Sequence, residues 1–304
     1  MALNEKEIIR IITLGQPKAP TRYGVGDDAA WTREGSLITQ DTMVEGVHFD
    51  ERLSPKDLGW KIVAVNVSDI AAMGRYPYWC TLSISLPKEK TNEDWVRDFS
   101  AGLRLALQKW NIALIGGDST RSNHDVVVSM TMGSKPTKIV VWQSGAQVGD
   151  EIWVTGNLGD AAHAFFNKDS KYSIDWLRRP EPPVGFANHL GSFQVARAMT
   201  DISDGLKVDL TKICNASNLG AVIDPTALPK SSELYGHKDA LAYQTTFGED
   251  YQLLFTAGPS HNKLIRRIAA QNRVAVTPIG KTISDPDRIE LRNTPWPAPL
   301  FSHF

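Results

Sequence analysis

Seven aspartates differ from the other acidic residues of this chain in where they sit. Asp27, Asp28, Asp41, Asp69, Asp118, Asp201 and Asp204 lie in segments rich in Gly, Ser or Thr. All but Asp69 fall at expected strand ends or helix starts. Each has a local explanation: Asp27 and Asp28 can shape a turn, and Asp41 can end a strand. Likewise Asp118 can sit in a turn, and Asp204 can cap the helix after it. Asp69 fits such an explanation least, because its helical neighbours Val65, Val67, Ile70, Ala71 and Ala72 are apolar. An acid there needs a partner, and Asn66 lies three residues back on the same face. If these segments converge, two carboxylates about 4 Å apart repel by about 4 kcal/mol at an effective dielectric near 20. Convergence therefore calls for cations. Mg²⁺ takes carboxylate, water and phosphate oxygens, and Cys80 and Cys214 offer no thiolate–imidazole cluster for a softer metal. A many-aspartate site of this kind points to Mg²⁺ and a phosphorylated substrate.

The elements that must carry these residues can be read from periodicity. A first helix is expected over 5–14, capped by Asn4 and stopped by Gly15, and a strand over 36–40 runs into Asp41. The stretch from Ser54 to Met73 reads as a helix, with Ser54 as cap, Pro55 in the first turn and Gly74 as stop. A strand over 78–86 precedes a helix over 92–110. In that helix Trp95, Phe99, Leu103, Ala106, Leu107 and Trp110 share one face. Strands over 112–115 and 126–132 follow. Residues 133–150 are rich in Gly, Ser, Lys and Pro, and a domain boundary is expected near 138, giving domains 1–138 and 139–304. Beyond it, strands are expected over 151–155, 221–224, 250–256 and 274–279. Helices are expected near 159–167, 184–198, 205–217 and 260–271. Interleaved strands and helices in both halves make an α/β (α+β) protein.

The 304 residues carry 33 Lys plus Arg against 34 Asp plus Glu, a balance without the basic excess of a nucleic-acid binder. Two cysteines are too few for a disulfide framework. No stretch approaches the roughly 18 apolar residues of a membrane span, and the N-terminus lacks the apolar core of a signal peptide. The expectation is a soluble, cytoplasmic protein that binds neither membrane nor nucleic acid. Two motif-like stretches lack their context. Gly280-Lys281-Thr282 has Ala275 where a phosphate loop needs its first glycine, and Gly24-Val25-Gly26 follows a loop instead of a strand.

Read in order, Gly24-Val-Gly-Asp-Asp-Ala-Ala30, Asp41-Thr-Met-Val-Glu-Gly-Val-His-Phe49, Asn66-Val-Ser-Asp-Ile-Ala-Ala-Met-Gly74, Gly116-Gly-Asp-Ser-Thr-Arg121, Asp201-Ile-Ser-Asp-Gly205 and Gly248-Glu-Asp-Tyr251 form a series. This series closely resembles the thiamine-monophosphate kinases, of the aminoimidazole-ribonucleotide-synthetase-like superfamily, from about residue 24 to the C-terminus. The resemblance implies that Mg-ATP phosphorylates thiamine monophosphate to thiamine diphosphate directly, without a phosphoenzyme or covalent nucleophile. That agrees with the physical reading, since phosphoryl transfer asks for positioning and charge neutralisation. Asp28, Thr39, Asp41, Asp69, Asp118, Asp201 and Asp204 match the family's metal positions, with Asp27 adjacent. Gly117, Asp118 and Ser203 match nucleotide positions, and His48 and Glu249 match thiamine-phosphate positions. Glu249 suits either the cationic thiazolium or the aminopyrimidine.

Three departures from the family pattern stand out. Gln40, a candidate metal residue, stands where the family's Thr-Thr-Asp or Ser-Thr-Asp has its middle Thr, beside Asp41. Gln143 replaces an arginine that meets the ATP phosphates. A substrate-packing aromatic, often Tyr, aligns with Phe301, with Trp296 as a competing candidate. The resemblance further implies two α/β domains, the N-terminal sheets of two subunits pairing into a barrel across a homodimer. Two other readings stay open. One is another ATP-dependent member of the superfamily, such as an aminoimidazole ribonucleotide synthetase. The other is a catalytically inactive dimer that binds a phosphorylated metabolite, which Gln40 and Gln143 favour.

Overall fold

The computed structural model describes residue 3 and residues 5–15, 21–167 and 173–300. In the N-terminal half, helix α1 (Glu5–Thr13) precedes strands β1 (Thr21–Tyr23), β2 (Ala30–Thr32) and β3 (Leu37–Val44). Helix α2 (Pro55–Ala72), strand β4 (Pro77–Leu86), helix α3 (Glu93–Trp110) and strands β5 (Ala113–Arg121) and β6 (Val127–Ser134) complete it. The strands form one six-stranded sheet, β1-β2-β3-β6-β4-β5, antiparallel except for the β4–β5 pair. The C-terminal half starts with β7 (Glu151–Thr155), α4 (Asp160–Phe166), α5 (Ser173–Arg178), α6 (Val184–Ser192), β8 (Ala198–Asp201) and α7 (Leu206–Ser217). It continues with β9 (Gly220–Ile223), α8 (Ala240–Thr246), β10 (Leu253–Ala257), α9 (Asn262–Asn272), β11 (Val276–Ile283) and β12 (Ile289–Leu291). Its six-stranded sheet has the order β12-β9-β11-β7-β10-β8, parallel only at β12–β9.

Helix α2 is the axle of the molecule. Ser54 accepts the backbone N–H of Asp57, Pro55 occupies the first turn, and Gly74 leaves the helix with a φ of 73°. Of its 18 residues 15 are buried, so it is covered on every side instead of presenting one apolar stripe. Two glycines make that possible. A Cβ at Gly59 would stand 2.2 Å from the Phe99 carbonyl oxygen, and one at Gly102 would stand 1.7 Å from that of Lys56. Helices α2 and α3 therefore touch backbone to backbone. A single cluster of buried side chains runs from Leu37, Ile62 and Phe99 through Met130 to Phe186, Phe255 and Ile265, across both halves. A second cluster, built on Ile152, Leu210, Ile213 and Ile223, belongs to the C-terminal sheet.

Three readings of the sequence need correction. The helix expected over 184–198 ends at Ser192, because Gln194 turns left-handed (φ 52°) and Ala198–Asp201 pairs with β10 as strand β8. The short stretch Val195 to Met199, apolar except for Arg197, suits either structure, so periodicity could not separate them. The strand expected over 112–115 continues to Arg121, which puts Gly116-Gly117-Asp118 inside β5 and not in a turn. Asp41 likewise lies within β3, three residues before its end. Strands β1, β2 and β12 and helices α5 and α8 were not anticipated. Asn4 and Phe301 lie outside the described residues. Among the described residues, no helix is long and apolar enough to cross a membrane.

Candidate active site

The pleat of β3 sorts its side chains. Leu37, Thr39 and Met43 are buried against α2, with Asp41 on the same face, whereas Gln40 and Thr42 face outward. Thr39 Oγ1 donates to Asp69 Oδ2 at 2.5 Å, which supplies the partner that the buried acid on α2 requires. Asn66 instead donates to the Ile62 carbonyl within its own helix. One residue before Asp69, Ser68 Oγ donates to Asp201 Oδ2 at 2.6 Å, so α2 grips the end of β8. Asp28 arrives from the loop before β2. Its Oδ1 accepts hydrogen bonds from Thr200 Oγ1 (2.9 Å) and Gln143 Nε2 (2.8 Å), and its Oδ2 is buried with no hydrogen-bond partner. Asp27 accepts the backbone N–H of Gln143 at 3.0 Å.

The acids perturb one another. Burial pushes Asp28 and Asp69 well above the ordinary carboxylate range, and the charge of Asp201 adds to both. Asp41 is pushed up to about 7, first by burial and then by Asp201, Glu249 and Asp204. Burial also raises Asp201, against the pull of Ser68 and Lys212, and lifts Asp27 to about 6. Lys212 is the nearby counter-charge. It meets Asp204 at 2.7 Å and Asp209 at 2.8 Å, and these two acids hold it protonated. Ser203 Oγ stands 3.5 Å from Asp201 Oδ1.

Among the described residues, no three His, Cys, Asp or Glu side chains are grouped closely enough to hold a metal ion unaided. The donors nevertheless suit Mg²⁺. They are hard oxygens from Asp and Thr, one of them a buried carboxylate oxygen without a partner, in a basin whose acids resist ionisation without a cation. Mg²⁺ keeps several waters and takes substrate phosphate oxygens, so a few protein carboxylates suffice.

A second group lies beside this basin. In the tight loop after β3, His48 Nδ1 accepts the backbone N–H of Val44 at 3.0 Å, which puts the proton of the neutral ring on Nε2. His48, Phe49, Arg52, Lys61, Phe165 and Arg178 line a cavity of about 120 Å³. Lys61 Nζ donates to Glu249 Oε2, and Tyr251 Oη donates to Glu249 Oε1 at 3.3 Å. A larger cleft of about 1080 Å³, between Tyr76, Lys109, Trp176 and Arg273, includes none of the clustered acids. The volume is therefore in one place and the charge chemistry in another.

The structure thus brings together Asp28, Thr39, Asp41, Asp69, Asp201, Ser203, Asp204 and Gln143, with Glu249 and His48 alongside. It does not bring in Gln40, Gly117 or Asp118. Gln40 accepts a hydrogen bond from Thr131 Oγ1 on the outer face of the sheet. Asp118 stands opposite Ser83, in the row of Ser129 and Thr42 on that same outer face, and β5 is exposed along its whole length. Trp296 is tied to the Ile289 carbonyl and packs on the second cluster.

Known proteins resolve what this arrangement belongs to. The AIR synthase related protein N-terminal domain matches residues 26–134, and the corresponding C-terminal domain matches residues 147–291. The thiamine-monophosphate kinase of Buchnera aphidicola is 37% identical over 274 residues, covering 84% of this chain and 83% of its own. The chain belongs to the thiamine-monophosphate kinase family. The crystal structure of the kinase from Stenotrophomonas maltophilia superimposes with a TM-score of 0.80 at 35% identity, covering 95% of this chain and 96% of that one. AaThiL complexed with AMPPCP and TMP gives a TM-score of 0.82 at 29% identity, over 97% of this chain and 96% of that one.

Within the candidate site, four polar residues escaped sequence reasoning. Lys61 and Ser68 sit on a helix that reads as apolar, Thr200 lies in an unrecognised strand, and Lys212 reads as an ordinary helical surface lysine. The interruption of an apolar helix by Lys61 was the one signal available.

Proposed function

We propose that this chain transfers the γ-phosphoryl group of ATP directly to the phosphate of thiamine monophosphate, giving thiamine diphosphate and ADP. The observation that carries the reading is the convergence of Asp28, Asp41, Asp69 and Asp201, all pushed above their ordinary range, beside the cavity lined by His48 and Lys61 and the Lys61–Glu249 pair. A basin this acidic repels both substrates unless cations lie between. In this reading Asp28, Thr39, Asp41, Asp69, Asp201 and Asp204 would hold Mg²⁺, which would supply the positive charge that offsets the phosphates. The acceptor is itself an anion, so no strong general base is needed. Ser203 and Gln143 serve the nucleotide; Gln143 binds it by neutral hydrogen bonds instead of guanidinium charge. His48 offers its Nε2–H to the acceptor, and Glu249 offers a carboxylate edge.

Gly117, Asp118 and Gln40 enter the reading through a second subunit. Strand β5 is an unpaired edge with Leu114 and Ile115 exposed (46% and 63%), and such an edge invites pairing. Two N-terminal sheets would then close a barrel across a homodimer, with residues 1–138 forming the ATP, Mg²⁺ and dimerisation domain and 139–304 the second domain. A reducing cytoplasm suits the two buried free thiols. One observation favours a non-catalytic binder: Gln143 already occupies one oxygen of Asp28. A steady-state assay with thiamine monophosphate and Mg-ATP separates the readings. Equimolar ADP and thiamine diphosphate are expected, whereas folded protein yielding neither at saturating substrate overturns the kinase reading.

A further inference from the structure

We propose that Lys61 is the positioning residue for Glu249, holding its carboxylate for a hydrogen-bonding edge of the acceptor and not for the acceptor's positive charge. This rests on the reading that Glu249 meets thiamine monophosphate. Lys61 is only 2% exposed, near the middle of α2. An ammonium buried so deeply costs several kcal/mol unless paired, and an apolar side chain of like size often replaces a buried ion pair without loss. The adjoining helix positions are apolar or glycine: Leu58, Gly59, Trp60, Ile62 and Val63. A lysine there is poor structural glue, and its geometry suggests another use.

Its partner is held in an unusual arch. Glu249 has a φ of 72° and Tyr251 a φ of 48°, left-handed conformations that L-residues avoid and that cost about 1–3 kcal/mol each. The Glu249 N–H bonds the Ser203 carbonyl at 3.0 Å, the Tyr251 N–H bonds that of Ile202 at 2.9 Å, and Asp250 accepts the Gly159 N–H. The arch is thus pinned beside Asp201, and the carboxylate is then fixed at both oxygens, by Lys61 and by Tyr251. Lys61 also lines the cavity that contains His48. The ammonium does two things there. It fixes the direction of Glu249, and it cancels the charge of an acid that otherwise adds to the repulsion around Asp41. A carboxylate so compensated has little attraction left for a thiazolium. Its remaining lone pairs suit an amine or protonated ring nitrogen, which an aminopyrimidine supplies.

The test uses the full chain and four variants: Lys61→Met, Glu249→Gln, the two combined, and Tyr251→Phe. Folding is verified by thermal melting, and KM is measured for each substrate with the other saturating. Lys61→Met is expected to raise the KM for thiamine monophosphate about tenfold or more, with the KM for ATP within about twofold. The double variant should match the worse single variant instead of multiplying the two effects, because both changes act through one carboxylate. Tyr251→Phe should raise the same KM by a smaller factor. A lowered thiamine-monophosphate KM in Lys61→Met, as expected if Glu249 binds the cation, overturns the proposal; so do multiplicative effects in the double variant. A silent Lys61→Met beside an impaired Glu249→Gln sinks the proposal alone, while a silent Glu249→Gln sinks the substrate reading of Glu249 as well. Should Lys61→Met fail to fold, Lys61→Gln and Tyr251→Phe are measured by the same criteria, and unchanged KM values in both reject the idea.

Discussion

Replacing Asp41 with Asn should make the metal-free protein more stable while destroying its turnover. Burial and the neighbouring acids raise this carboxyl from 3.8 to about 7. The sign follows from proton uptake. A carboxyl whose folded pKa exceeds its unfolded one binds more protons when folded, so stability is highest below about pH 4. It falls as the pH climbs to about 7, and above that the loss is complete. At ~1.4 kcal/mol per pKa unit, a rise of about three units bounds the cost near 4 kcal/mol. Sharing among the coupled acids and partial exposure to solvent reduce the gain from one substitution to about 1–2 kcal/mol. In a protein of this size that raises Tm by roughly 2–3 °C. The assay is thermal unfolding of wild type and Asp41→Asn with EDTA or with Mg²⁺, at pH 5 and pH 8, alongside steady-state kinetics. The variant should melt higher than wild type at pH 8 in EDTA, lose much of the pH dependence, and gain less from Mg²⁺. A variant that melts lower at pH 8, with the wild-type slope intact, would refute the claim that these acids repel one another without a cation.

Four further outcomes follow from the same geometry. Burial pushes Cys80 and Cys214 up to about 11, so thiolate forms only at high pH, and iodoacetamide at pH 8 should label neither thiol nor reduce Mg²⁺-dependent activity until urea unfolds the chain. His48→Ala should raise the KM for thiamine monophosphate about 5- to 50-fold and leave that for ATP near wild type; equal effects on both substrates contradict the cavity assignment. Gly102→Ala should cost about 2–3 kcal/mol in urea unfolding, because the new Cβ meets the Lys56 carbonyl and neither backbone can yield; a neutral result means α2 and α3 are less tightly joined. Ile115→Lys should convert a dimer to a monomer by light scattering with turnover lost, and an active monomer rejects the shared-site reading.

Of the seven aspartates, Asp69 was the most legible, as an acid in an apolar helix; the others have local explanations taken singly, and of them Asp118 lies on exposed β5, away from the cluster. Helices α2 and α3 were legible for a different reason: caps, stops and spacing agreed along long segments. What stayed hidden depended on pairing across the chain. The register of β5 against β4 turns Gly116-Gly117-Asp118 from a loop motif into an exposed strand, and no local pattern encodes that register. Strand β8 stays hidden for the same reason, its first residue falling at the end of the helix expected over 184–198. Gln40 and Asp41 are adjacent in sequence, yet the pleat sends them to opposite faces, and two polar neighbours give no sign of which one points inward. Lys61 and Glu249 are 188 positions apart, and nothing short of the folded packing of α2 against the segment before β10 joins them.

The packing of α2 has one more consequence, and it concerns length. Lys61 and Asp69 lie eight residues apart on one helix, a rise of about 12 Å that no rotation of side chains can change much. Because glycine contacts lock this helix to α3, it cannot slide along its neighbour to shorten or lengthen that span. In the proposed reaction, Lys61 marks the ring end of the acceptor and Asp69 the phosphate end. The helix is then a fixed ruler laid beside the substrate. An acceptor whose ring and phosphate are spaced differently cannot meet both marks at once, so the fixed span itself selects for length.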